Sequence, residues 1–258
     1  MLRTENGSWG TEEATLHFRY FRHDNTEKRP VLVFLHDALG SIAQWRDFPQ
    51  LLAERTGLDA LLYERRGHGR SAPLNGERKP DYLHYQSNRT LPHLLRSFAI
   101  ENPILIGHSD GAAIALLHAA AHPVRMVIAI AAHVLVEPIT LEGIRRAVAQ
   151  KEEIVSRLHK YHGDKTVALF DAWADTWLGA GFQNWDILEE LKKIRRPVLA
   201  IQGTEDEYAT EAQFITLSKI LGKKASTLWI EHTGHFPHIT HRETLAGIIT
   251  DYIRSRLE

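Results

Sequence analysis

Ser109, Asp206 and His235 are the residues of this 258-residue chain whose types and settings could do chemistry together. Ser109 stands in Gly107-His108-Ser109-Asp110-Gly111, between the apolar run Ile104-Leu105-Ile106 and the alanine-rich stretch Ala112-Ala113-Ile114-Ala115. A Gly-x-Ser-x-Gly turn between a strand pattern and a helix pattern is a nucleophile elbow. Small neighbours let the chain reverse within a few residues, so the hydroxyl is held at the turn, facing a cleft. The helix that follows begins with unpaired backbone N–H groups, which favour developing negative charge. A serine hydroxyl is a poor nucleophile until a base takes its proton and an acid holds that base in the right tautomer. Asp206 follows the apolar run Val198–Ile201, in Gly203-Thr204-Glu205-Asp206, and His235 follows Leu228–Ile230, in His232-Thr233-Gly234-His235. Glu205 and Glu207 flank Asp206, and a one-residue shift of the turn would favour one of them as the acid. A solvated acidic turn is the bland alternative.

Three such turns need a scaffold that brings them to one edge. Ala14 to Phe21 alternates apolar and polar residues, which predicts a half-buried antiparallel edge strand. Val31–Leu35, Asp59–Tyr63, Arg125–Ala132, Pro197–Ile201 and Ser226–Ile230 read as further strands, the unbroken apolar runs as strands covered on both faces. Trp45–Ala53, Thr90–Ala99 and Arg242–Arg256 read as helices. Repeated β-α units imply an α/β fold with a mostly parallel central sheet, helices on both faces and ligands at the carboxyl ends of the strands. The rhythm breaks between about residues 134 and 196. There Leu141–His159 reads as one long amphipathic helix, with shorter ones at Thr166–Trp177 and Trp185–Lys193. This helical insertion, late in the sheet, reads as a lid: a cap of residues 134–196 on a core of residues 1–133 and 197–258. Ser71–Asp81, with Pro73, Gly76 and Pro80, is expected to be an irregular exposed loop.

With serine, acid and histidine in this order at three strand ends, the chain resembles the α/β-hydrolase superfamily over nearly its whole length. Members carry a His-Gly turn after the third strand, and His36-Asp37-Ala38-Leu39-Gly40-Ser41 occupies that place, with Asp37 where glycine is usual. The resemblance implies that the Ala38 and Asp110 N–H groups form the oxyanion hole. Glu64-Arg65-Arg66-Gly67-His68-Gly69-Arg70-Ser71 is similar to the family's Asp-x-Arg-Gly-x-Gly-x-Ser stretch and is taken as a structural turn near the rim. Ser109-Asp110-Gly111 is similar to the elbow of the valacyclovirase (biphenyl hydrolase-like) family, in which the aspartate meets the substrate's amino group. The simpler reading of Asp110 is a carboxylate favoured by the helix dipole.

Several features invite other readings. His232, His235, His238 and His241 are spaced three apart, but the stretch crosses a loop and a helix start, so rim and capping roles are preferred to a metal site. Phe170, Trp173 and Trp177 form a helical stripe, either the lid's own packing or a wall against an apolar acyl group. His133, at a strand end, is a candidate pocket contact. A net charge of −1 without a basic block argues against nucleic acid, and the absence of cysteine excludes thiol catalysis and disulfides. Met1–Asn6 has no apolar core for a signal peptide and no run approaches membrane-spanning length, so a cytoplasmic protein with no membrane partner is expected. The expected activity is hydrolysis of a small carboxylic ester through an acyl-enzyme, without metal or organic cofactor. The alternatives are C–C bond, thioester or amide hydrolysis on the same scaffold and, more remotely, a ligand receptor with no turnover.

Overall fold

Strands read from unbroken apolar runs pair into one sheet in the computed structural model, which describes residues 1–10, 14–24 and 29–257. The elements run β1 (Leu2–Gly10), β2 (Thr15–His23), β3 (Leu32–Leu35), α1 (Phe48–Thr56), β4 (Ala60–Tyr63), α2 (Tyr82–Tyr85), α3 (Leu91–Ser97), β5 (Ile104–His108), α4 (Asp110–Ala121) and β6 (Met126–Ile130). After β6 come α5 (Pro138–Ala149), α6 (Lys151–His162), α7 (Thr166–Leu178) and α8 (Leu188–Leu191). The chain then returns through β7 (Val198–Gly203), α9 (Glu211–Leu221), β8 (Ala225–Ile230), α10 (Pro237–Thr240) and α11 (Arg242–Arg254). The sheet order is β1-β2-β4-β3-β5-β6-β7-β8, antiparallel through β1, β2 and β4 and parallel from β4 onward.

Alternation along the central strands sends side chains to two cores. Val33, Leu105, Val127 and Ala200 pack with α3, α4 and α9 on one face, while Leu32, Phe34, Ile106, Ile128 and Ile201 pack with α1 and α11 on the other. Helix α4 is buried from Asp110 to Ala119 and, apart from Asp110 and His118, apolar all round, as a helix pressed between the sheet and other elements must be. Its alanines allow the close approach.

The structure corrects four expectations. The alternating strand β2 is not the edge: β1 lies outside it, paired over Leu2↔His23 to Gly10↔Thr15. The stretch expected as one helix over Leu141–His159 is two, α5 and α6, broken at Gln150. Only Leu188–Leu191 of the expected helix Trp185–Lys193 is α-helical, and Thr90–Ala99 shortens to α3, entered through a π-helical turn at Gln86–Thr90. The helical excursion between β6 and β7 is clasped at its base. Ile187 N–H donates to Val134 O at 2.9 Å, Leu135 and Asp186 form a bridge, and Gln213 of α9 accepts the Val134 N–H at 2.7 Å.

Candidate active site

The sharpest turn in the chain lies between β5 and α4. Ser109 has φ +54° and ψ −118°, a conformation that costs a non-glycine residue about 1–3 kcal/mol. Surrounding bonds hold it: Ser109 N–H donates to Ile130 O at 2.9 Å, and Ser109 O accepts from Ala112 N–H at 2.9 Å. Both flanking glycines are dictated by sterics. A Cβ on Gly107 would lie 2.2 Å from Gly111 O, and one on Gly111 only 1.9 Å from Leu35 O. The turn therefore presses α4 against the end of β3, where the Asp37–Leu39 loop begins.

The turns after β7 and β8 are laced together. Glu205 N–H donates to Thr233 O at 2.9 Å, and a Cβ on Gly203 would lie 2.0 Å from that oxygen. Asp206, not its neighbours, reaches the ring: His235 Nδ1 lies 2.9 and 3.0 Å from the two carboxylate oxygens, and Tyr208 N–H donates to Oδ1 at 2.9 Å. Glu205 faces His232 in solvent, and Glu207 Oε2 accepts the His235 backbone N–H at 3.1 Å. Burial opposes the charged form of His235, but Asp206, helped by Glu207 and Asp37, raises its pKa above 6.5. Burial opposes ionisation of Asp206 as well, yet His235 and the Tyr208 N–H bring its pKa below the ordinary 3.8. His108 supports the ring from behind, with Nε2 donating to His235 O at 2.7 Å.

Ser109 and His235 line one cavity of about 480 Å³ together with Ala38, Asp110, His133 and Trp173. No hydrogen bond links the Ser109 hydroxyl to His235 among the described residues, and such contacts are often long before substrate binds. Helix α5 walls the far side and rests on the acid turn, with Thr140 Oγ1 donating to Tyr208 O at 2.7 Å and Arg146 to Glu207 O at 3.2 Å. Trp177 lines the cavity as well, and its Nε1 donates to Tyr82 Oη at 2.9 Å. Tyr82 in turn donates to Asp110 Oδ2 at 2.6 Å. Burial raises the pKa of Asp110 despite Arg65, 3.9 Å away. Its second oxygen, Oδ1, has no hydrogen-bond partner among the described residues. His133 is buried against Trp177, its pKa pushed down by burial to about 3, so its ring is neutral.

The loop after β3 is held by its carbonyls. Arg65 donates to His36 O at 2.6 Å and to Asp37 O at 2.7 Å; His68 Nε2 donates to Ala38 O and His162 Nε2 to Leu39 O, each at 3.0 Å. Four successive carbonyls are thus occupied, while the Ala38 and Asp110 N–H groups donate to nothing within the described protein. Lys165, just after α6, adds bonds to Gly69 O at 2.5 Å and Ser71 O at 2.6 Å. The Glu64–Ser71 turn is self-consistent. Glu64 accepts from Ile42 and Arg70 N–H groups at 3.0 and 2.6 Å, and Ser71 Oγ donates to Glu64 O at 2.6 Å. Sequence reasoning took this stretch as a rim turn and missed the work of Arg65 and His68. It also missed Tyr82, which carries no motif, and weighed Glu207 only as a rival acid rather than as a partner of the His235 backbone.

The four histidines at spacing three separate onto different partners: His232 onto Glu205, His235 onto Asp206, His241 onto Thr233, and His238 against Trp45. Among the described residues no three His, Asp or Glu side chains converge as metal ligands, and no helix is long and apolar enough to cross a membrane.

Residues 32–248 match the Alpha/beta hydrolase family, and the chain belongs to that family. A curated relative, the sn-1-specific diacylglycerol lipase ABHD11 of Danio rerio, is 34% identical over 92 residues, covering 36% of this chain and 27% of that protein. The chain thus spans little more than a quarter of that relative's length. The Bifunctional esterase/perhydrolase DCH of Acinetobacter calcoaceticus is 25% identical over 268 residues, 88% of this chain and 92% of its own. Among solved structures, a bacterial membrane phospholipase A superposes with a TM-score of 0.81 at 20% identity, over 99% of this chain and 87% of that one. That likeness is one of fold. The mostly parallel sheet and its helices are those of the α/β-hydrolase fold.

Proposed function

We propose that this hydrolase cleaves carboxylic esters of small substrates by serine catalysis, with Ser109 as nucleophile, His235 as base and Asp206 as its orienting acid. The observation that carries the reading is the buried His235–Asp206 pair on the wall of the cavity that also receives Ser109 from its strained turn. Attack of Ser109 Oγ on the substrate carbonyl forms the C–O bond as His235 takes the hydroxyl proton. Asp206 stabilises the imidazolium, and the Ala38 and Asp110 N–H groups receive the oxyanion. The proton passes to the leaving alcohol, and water then releases the acid by the same steps. Helices α5 to α7 serve as the lid, with Trp173, Trp177 and His133 as acyl-side contacts. The lipase and esterase relatives support an ester as the bond cleaved.

We read the Asp110 carboxylate as an anchor that ties the elbow to Tyr82 and Trp177, rather than as a receptor for a substrate amine. One of its oxygens is already bonded and Arg65 stands beside it. The test is a screen of p-nitrophenyl esters, thioesters, amides and diketones against the wild type and Ser109→Ala. Burst release from an ester, lost in Ser109→Ala, is expected. Ser109→Ala, His235→Ala and Asp206→Ala should each lower kcat by several orders of magnitude, with double variants no worse than the worst single. Multiplying losses would sink the triad. Preference for a thioester or diketone would move the bond assignment and leave the serine in place.

A further inference from the structure

A second cavity, of about 140 Å³, lies behind the candidate site and shares Asp37, Gln44 and Phe236 with the larger one. Its walls collect polar atoms that the protein itself leaves unsatisfied. Ser41 Oγ, Gln44 Oε1 and His238 Nδ1 are all buried without a hydrogen-bond partner among the described residues, and Ser41 and His238 are only 1% and 4% exposed. The Asp37 carboxylate faces the same space across from His108, with the oxygen-to-Nδ1 separation 3.9 Å, too long for a hydrogen bond. Buried polar groups are normally satisfied, and a polar cavity that offers several donors and acceptors is where water resides. The space is large enough to hold several waters. Arg46 and Ile239 line it where the chain meets solvent.

We propose that this cavity is a water port that supplies the second half of the reaction; the inference rests on the acyl-enzyme reading above. After the first step the acyl group occupies the large cavity, whose far wall is made by α5, α6 and α7. Water must then reach the Ser109 ester from the side of His235, where the small cavity abuts. Phe236 is the partition, its ring 5.4 Å from that of His235 and 4.9 Å from that of His108. In the step served, a water oxygen attacks the acyl carbonyl while His235 takes its proton. The bond from carbon to Ser109 Oγ then breaks, and the proton returns to Ser109 as the acid leaves. Asp37, which stands where the family usually has glycine, supplies the carboxylate that keeps the port polar at its inner end.

Two variants test the port without touching the triad. Ser41→Val replaces an unpartnered hydroxyl by methyl groups, and Ile239→Phe narrows the mouth from the partly exposed side of α10. The acyl-enzyme formed with p-nitrophenyl octanoate, whose chain extends into the large cavity, is followed by quenched-flow and intact mass, which gives acylation and deacylation separately. The expected result for both variants is deacylation slowed about tenfold, with acylation and melting temperature unchanged. That loss corresponds to about 1.4 kcal/mol on one step alone. Equal slowing of both steps, or no change in deacylation by a folded Ile239→Phe protein, overturns the port. Absence of any acyl-enzyme in the wild type would instead overturn the parent reading, so the two failures are distinguishable.

Discussion

Glu207 is exposed and one residue away from the acid, yet it acts on the histidine from the opposite side, accepting its backbone N–H and adding to its charge stabilisation. As the proposed base, His235 must be neutral to take the serine proton, so kcat/KM should fall as pH drops through its raised pKa, with a midpoint above 6.5. Glu207→Gln keeps an acceptor and removes the charge. The midpoint should then move down, by roughly 0.2–0.7 pH units for an exposed charge worth ~0.2–1 kcal/mol. An upward shift would reverse the assigned electrostatics. Asp110 gives a second residue-level outcome. If its carboxylate is an anchor, Asp110→Ala should lower kcat/KM for an amino-acid ester and for its des-amino analogue by equal factors. A loss confined to the amino-acid ester would restore substrate recognition to that carboxylate. The serine, acid and histidine of the proposed triad could be picked out from sequence because each stands in a turn after an apolar run. The sequence favoured Asp206 but left Glu205 and Glu207 as rivals, because a turn's rotation is set by contacts such as Thr233 O to Glu205 N–H, far away in sequence.

The elements divide between those whose sequence is dictated by sterics and those held by partners. Gly107 and Gly111 belong to the first group: either glycine→Ala change drives a methyl into backbone, and a loss of roughly 3–5 kcal/mol in urea unfolding is expected. Near-wild-type stability of Gly111→Ala would mean that α4 does not press on β3 as described. Strand β1 could not be read because most of its residues are exposed, which leaves no period-two signal. The break at Gln150 is equally silent, since glutamine favours helix and the apolar period runs on through it. In the helical excursion, Trp173 and Trp177 separate by their bonds. Trp177 is tied to Tyr82 as well as lining the cavity, so Trp177→Ala should destabilise by about 3–5 kcal/mol and depress all substrates, bulky acyl groups most. Trp173→Ala should change kcat/KM most for bulky acyl groups. A uniform fall for Trp173→Ala, with a lower melting temperature, would make it packing alone.

Across the whole molecule, burial keeps histidines neutral. The pKa is lowered for His36, His68, His162 and His238, and pushed to about 4 for His118 and about 3 for His133, in each case chiefly by burial. The unfolded chain binds more protons than the native one below pH 6.5, so stability should fall progressively as pH drops from there. His118 alone accounts for about 3 kcal/mol once the pH is below 4. Asp206 adds loss in the same direction at lower pH, through its depressed pKa. His235 opposes it: its raised pKa contributes stability below pH 6.5 that disappears as pH rises through the folded value. Urea titrations between pH 7.5 and 4.5 should give a steady decline, and a flat profile would contradict the neutral assignments. The bonds from His162 and Lys165 to Leu39, Gly69 and Ser71 also set where members of this family could exchange parts. A graft of α5 and the first turns of α6 would import new cavity walls and with them new substrates. A graft running on past residue 162 would remove a tie on the loop after β3, so the inheritable unit ends inside α6, well short of the return to β7.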